Sequence, residues 1–362
     1  MAIAYSAVNT HVRTANRRWP WLIMLSAVLI ASALAAGAVK LQWPVLTEGS
    51  LHALQHWLGL ADAPSAAHSS QLYVFWYMRL PRVLFALLAG AALGYSGALC
   101  QGLFRNPLAD PGLLGVTTGA ACAAALSIVL AGSLPWSLSP ALRGWLLPVA
   151  AFSGALITCL LLDAVARWLT PGSVTGLLLT GIAMNALAAA IIGICTYLST
   201  DEQLRNLSFW TLGSLSAASW PALIALSIIL LLSLQRLKRT AQALNAMSLG
   251  AQTAAHSGVN IAALRWRVIL TVAILTGVVM AWCGAIGFIG LIAAHLVRMQ
   301  YGADQRIVLP GAMLSGALVL LLADTLARTL ALPAEIPVGI LTALCGSPVL
   351  LMLLYQSRHR LY

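Results

Sequence analysis

Few residues in this chain could do chemistry, and their spacing narrows what that chemistry is. Only 8% of the 362 residues are charged. Arg79 and Arg82 flank Pro81 in the string RLPR. Asp163 and Asp324 each have an arginine four positions on, Arg167 and Arg328, the spacing of a same-face ion pair on a helix. Apart from His295, these aspartates are the only ionisable groups in or near the long apolar runs, where such groups are the default functional candidates. Both pairs lie near segment ends, so an interfacial cap with a snorkelling arginine is expected over a proton relay. Arg79 and Arg82 read as an interfacial anchor or as a docking point for an acidic surface. His295, in GFIGLIAAHLVR, reads as a packed histidine or a helix-end hydrogen bond rather than a metal ligand. Asn185, in TGIAMNALAAA, either bridges helices by hydrogen bonding or lines a pathway.

What is missing matters as much. The sequence has no G-x-x-x-x-G-K-[ST] phosphate loop, so the chain is not expected to hydrolyse ATP itself. It has no HExxH, no metal-ligand spacing and no nucleophile–base pattern, so no catalytic and no metal site is assigned. The six cysteines all sit inside apolar runs without a CxxC, which points to packing. The net charge of +11 is not a nucleic-acid footprint, because the basic residues are spread between apolar segments. Such residues set membrane topology.

The elements that must position these groups are membrane helices. A soluble chain is about 25% charged, whereas this one is 60% hydrophobic, so the fold class is an all-α polytopic membrane protein. Apolar segments are predicted at about 20–39, 80–101, 113–131, 144–163, 174–198, 219–234, 309–330 and 338–355. The uncharged run 268–297 is one long helix or two broken at Cys283-Gly284. Arg13, Arg17 and Arg18 before the first run argue for a membrane helix with its N-terminus inside rather than a cleavable signal. Ten spans would place 14 of the 20 basic residues inside, with Lys40, Arg79, Arg82, Arg143, Arg205 and Arg328 outside. Ten divides into five plus five, an odd number that would invert one half relative to the other, although no repeat is visible in the residues. Gly90/Gly94 and Gly115/Gly119 have the spacing of close helix contacts. A turn at Arg105-Asn106-Pro107 and Asp110-Pro111-Gly112 separates them, and the longest polar insertion is 235–260.

Taken together, RLPR, GALCQGLFRNPLADPGLLGV, FWTLGSL, NAMSLG, GAIGFIGLIAAHLVR, LLADTLAR and PAEIPVGILTALCGSPV resemble the permease subunits of binding-protein-dependent ABC importers for iron chelates, heme and cobalamin. The resemblance implies one transmembrane domain over 1–362, with a cytoplasmic tail at 1–18 and a coupling region at about 235–262. It implies a homodimer of ten-helix subunits with both termini cytoplasmic, two helices within 268–297, two copies of a separate ATPase carrying ATP and magnesium, and a periplasmic substrate-binding protein. No cofactor is implied for this chain, and the location is the bacterial inner membrane. Arg79, Arg82 and Arg328 match arginines that dock the binding protein. Ala246, Met247, Ser248, Leu249, Gly250 and Ala251 fall in the segment that couples to the ATPase. Val174 and Thr175, with Asn185 further along, fall on the pathway helix. Ala251 stands where the family often has an acidic residue, and Ala294 where it usually has proline. The wording of 207–215 and of LADTLARTL resembles the heme subgroup, with ferric siderophore or cobalamin as alternatives. A proton-coupled secondary transporter is the competing class, disfavoured because no lone carboxylate lies mid-segment.

Overall fold

The computed structural model describes residues 24–37, 39, 42, 44, 46–48, 50–51, 66–131, 139–171 and 173–361. The expected tail at 1–18 lies outside these residues. All regular structure among them is helical. In chain order the helices are α1 (Met24–Ala35), α2 (Ala66–Tyr73), α3 (Leu80–Phe104), α4 (Val116–Ala131), α5 (Pro140–Leu169), α6 (Val174–Leu198), α7 (Asp201–Leu212), α8 (Trp220–Leu234), α9 (Leu237–Ser248), α10 (Ala251–His256), α11 (Ile261–Cys283), α12 (Ile289–Tyr301), α13 (Gln305–Thr329) and α14 (Val338–Leu361). Among the described residues five helices are long and apolar enough to cross a membrane, and six if α8 and α9, bent by 57°, count as one span. The long uncharged run is broken: α11 stops at Cys283, and Gly284 takes the left-handed φ of 67° that glycine tolerates.

One expectation is corrected at the start of α3. RLPR is not a helix start. A π-helical turn, Val74–Arg79, joins α2 to α3, so the span runs unbroken from Ser70 to Phe104. Pro81 has no N–H to give its preceding turn, and the wider turn absorbs that loss within the helix.

Helix α3 is the axle of the fold. It packs against α13, α12, α11 and α8, and every residue from Ala89 to Phe104 is buried. Lipid is as apolar as leucine, so this burial is driven by tight packing rather than by escape from water. The glycines make that packing tight. A Cβ at Gly90 would lie 2.2 Å from the Gly316 carbonyl oxygen, and one at Gly94 would lie 2.0 Å from that of Ala312. A second crossing joins α4 to α5, where Gly119 and Gly154 meet. Gly90 and Gly94 therefore both mark backbone contacts, whereas of the second pair only Gly119 does, Gly115 facing the side chains of Thr158, Asn185 and Leu162.

The turn after α3 is written in its residues. Arg105 is left-handed (φ 51°) and closes the helix, and the Asn106 side chain accepts from the Leu108 N–H at 2.9 Å. Asp110 caps a 3-10 turn (Pro111–Leu114) by accepting from the Gly112 N–H at 2.8 Å, and Gly115 (φ 71°) leads into α4. Burial pushes the Asp110 carboxyl upward, against the lowering effect of that N–H.

Candidate functional site

At the RLPR end of α3, five charged groups converge. Arg82 reaches Asp324 of α13 at 2.9 Å and Glu335, beyond α13, at 2.9 Å. Arg328 reaches the other oxygen of Asp324 at 3.0 Å. Asp324 is fully buried, so the expected interfacial snorkelling pair is corrected: this carboxylate lies inside the packing, held between guanidiniums from two helices. A buried carboxylate persists only when its charge is matched this way. Arg328 also donates to the carbonyls of Ala33 and Ala36, and Arg79 donates to those of Leu34, Ala35 and Val39. The two arginines thus satisfy the orphan carbonyls at the end of α1, where a helix favours cations.

Of the three arginines expected to face an external partner, Arg79 and Arg328 are buried, 6% and 5% exposed. Arg82 is also largely covered, but its partner Glu335 is half-exposed. Only the Arg82–Glu335 pair therefore reaches the rim. No sequence spacing marks Glu335 as a partner, because 253 residues separate it from Arg82.

Beside this cluster, three of the quoted motifs meet through their backbones. The Ser214 N–H of FWTLGSL donates to the Cys283 carbonyl at 2.8 Å, and the Gly339 N–H of PVGIL donates to the Gly213 carbonyl at 3.4 Å. Gly213 and Gly284 both have positive φ, and a Cβ on Gly284 would lie 2.0 Å from the Trp210 carbonyl oxygen. Helix α7 leads into this knot. The polar run 199–208 hid it, although Thr200 and Gln203 form the capping box that their spacing encodes.

The opposite end of the bundle repeats the ion-pair pattern. Asp163 is buried and contacts Arg167 at 3.0 Å and Arg265 of α11 at 3.2 Å. Here the snorkelling expectation is half met: Arg167 is 61% exposed and lies over the Trp266 ring, while its carboxylate is buried.

The polar insertion folds as α9 and α10, broken at Gly250 (φ 118°). Ala241, Leu244 and Met247 form the buried face of α9, against α13 and α3. Met247 thus anchors the helix. Ala246 and Gly250 are half-buried, whereas Ser248, Leu249 and Ala251 are exposed, Leu249 at 74%. Asn245 clamps α9 to the start of α13. It donates to Asp304 at 2.6 Å and accepts from the Gln305 N–H at 2.9 Å. Asp304 also caps α13 through the Arg306 N–H, and these two hydrogen bonds hold its carboxyl below the usual range. Helix α13, 25 residues and about 37 Å long, thus connects this clamp to Asp324 at the far end.

Val174 and Thr175 open α6 behind the Ser173 cap, and Thr175 is exposed. Asn185 bridges elements: it donates to the Gly112 carbonyl at 3.3 Å and accepts from the Thr118 hydroxyl. Of its two sequence readings, the interhelical bond is the one formed. His295 is half-buried in α12, and Ala294 beside it is buried in unbroken helix.

Comparison with known proteins follows this geometry. Residues 18–356 match the model of the FecCD transport family. The chain belongs to the FecCD transport family. It is 46% identical over 296 residues to the hemin transport system permease protein HmuU of Yersinia pestis, covering 82% of this chain and 87% of that one. It is 39% identical over 345 residues to the vitamin B12 import system permease protein BtuC of Salmonella typhimurium, covering 94% and 97%. A solved structure of an inward-facing metal-chelate type ABC transporter superposes with a TM-score of 0.74 at 32% identity, covering 93% of this chain and 99% of the other. The chain is a multi-pass membrane permease of the ABC importer class, and nothing in the family assignment gives it an enzymatic role.

Proposed function

We propose that this chain is the permease subunit of an ATP-driven importer that carries heme across the bacterial inner membrane, from periplasm to cytoplasm. The observation that carries the substrate is the 46% identity to a hemin permease, against 39% to a vitamin B12 permease. The subunit has ten membrane helices with both termini cytoplasmic, forms one domain with a coupling region at 235–262, and works as a homodimer. The exposed end of α9 and α10, Ser248 to Ala251 with Leu249 at its tip, seats in one of two copies of a separate ATPase, which holds the ATP and magnesium. The Asn245 clamp passes its movement to α13.

A periplasmic binding protein docks at the opposite end. Its carboxylates compete with Glu335 for Arg82, while Arg79 and Arg328 hold the rim in shape from beneath. A pair at an exposed rim is worth only about 0–1 kcal/mol, so docking there sets register more than affinity. The α6 helix of each copy, opening at Val174 and Thr175, borders the pathway. Proton coupling is disfavoured on geometric grounds: a proton relay calls for a lone carboxylate, whereas Asp163 and Asp324 are each paired with two arginines.

The test is uptake into vesicles holding the permease with its ATPase, using candidate binding proteins loaded with heme, a ferric siderophore or cobalamin. Heme uptake that needs ATP is the expected result. Cobalamin or siderophore uptake without heme uptake would reassign the substrate, and uptake driven by a proton gradient without ATP would sink the importer reading.

A further inference from the structure

A groove of about 850 Å³ runs between α3, α13 and the bend from α8 into α9. That volume lies in the upper part of the ~300–1,000 Å³ range of ligand sites. Its bed is apolar: Leu87, Leu88 and Ala91 from α3, with Met313, Leu314 and Ala317 from α13. Ala91 and Ala317 supply the depth, since both are small and buried. Lys238 and Arg239 stand at one end, with Arg236 one turn away. All three are exposed, and among the described residues none has a carboxylate partner. The chain bends by 57° from α8 into α9, and α9 packs against α13 and α3.

We propose that this groove is a binding site for an anionic phospholipid. Its acyl chain lies along Leu87, Ala91, Leu314 and Ala317, and its phosphate sits on Lys238 and Arg239. The chemistry selects that occupant. The bed belongs to membrane-spanning helices, so it meets acyl chains. Two unmatched cations at one end require a negative head, and basic clusters at a span end are what anionic headgroups recognise. A second copy of the chain is a poorer fit, because the exposed apolar face that would suit it is on α6. That helix packs on α4, α5 and the 3-10 turn and makes no comparable contact with α3, α8 or α13. The bound lipid would wedge the α8–α9 bend open and so bias the position of α9.

The test is native mass spectrometry of the full chain in detergent, titrated with phosphatidylglycerol or phosphatidylcholine. Phosphatidylglycerol is retained selectively. Lys238→Gln with Arg239→Gln lowers its retention by roughly thirtyfold, the loss expected for two juxtamembrane cations, and leaves phosphatidylcholine unchanged. Lys238→Arg keeps the binding, which separates charge loss from misfolding. Leu314→Trp fills the groove and abolishes retention with both cations intact. Retention unchanged in either the double variant or Leu314→Trp overturns the site. Displacement of the lipid by inorganic phosphate at equal concentration would make it a plain anion patch, and displacement by heme a substrate site. Either result overturns the lipid assignment.

Discussion

Helices α3 and α6 are alike by length and by hydropathy. Each has 25 residues, and their spans have mean hydropathies of 1.9 and 2.2. Their surroundings are opposite. Of the apolar stretch of the α3 span 83% is buried, against 22% for α6. Helix α3 has glycine wherever another backbone crosses it, at Gly90, Gly94 and Gly97. On α6 a Cβ at Gly181 would lie 2.3 Å from the Leu113 carbonyl oxygen, but one at Gly193, further along, would meet nothing within 4 Å. Large side chains at Leu179, Ile182, Leu187, Ile194 and Tyr197 stand exposed along α6. One helix is finished inside a single chain. The other presents a face that only lipid or another subunit completes.

The sharpest way to break this contrast is a matched pair of substitutions. Gly94→Leu drives a side chain into the α13 backbone, where a Cβ alone would lie 2.0 Å from the Ala312 oxygen. It is expected to cost about 3 kcal/mol or more, read as a large drop in melting temperature in detergent. Gly193→Leu is expected to leave that temperature unchanged. Equal losses would mean that α6 is as enclosed as α3.

Next in size is the charge lock at the end of α3. Asp324→Asn strips the buried counter-charge from Arg82 and Arg328 and should cost about 3–5 kcal/mol. Asp163→Asn should cost less, because Arg167 remains largely in water. Glu335→Gln touches only the exposed rim and should fall within about 0–1 kcal/mol. Unfolding midpoints of the three variants give the order directly, and a larger loss for Glu335→Gln than for Asp324→Asn would overturn the account of the lock.

On α6 Asn185 makes a polar tie to the 3-10 turn and to α4. Asn185→Ala leaves the Gly112 carbonyl without that donor and should cost about 1–2 kcal/mol. The measurement is faster hydrogen exchange over 106–118, with α3 unaffected.

The smallest effect is one of pH. Asp304 has a carboxyl lowered in the folded chain from its ordinary 3.8. Its stabilising effect is therefore complete above that value and lost as pH falls through the lowered one. Loosening of the α9–α13 clamp should appear only in acid, and Asn245→Ala should reduce this pH dependence, leaving the part that comes from the Arg306 N–H.

Much of this was legible in the residues. Most segment positions, the turn after α3 and both i,i+4 ion pairs follow from local pattern, because each depends on neighbours within one or two turns, whereas local pattern left the break at Gly284 open and only the family resemblance implied it. Other features were not legible, again for a local reason. Arg82 meets Asp324 across 242 positions, and no spacing announces it. The helix at 66–79 was hidden by Pro81, which normally argues for a start, and α7 by its polar composition.

By itself, the sequence determined that this is a bundle of apolar helices, where most of them begin and end, and that its charges gather at their ends. Only the tertiary structure decided which helix is the axle, which carboxylate is locked between two arginines, and which faces are left open. The physical reason is that a membrane protein's interior and its lipid are equally apolar. Hydropathy therefore marks a span without marking its buried face, and burial is settled only when backbones close on glycine and distant charges meet.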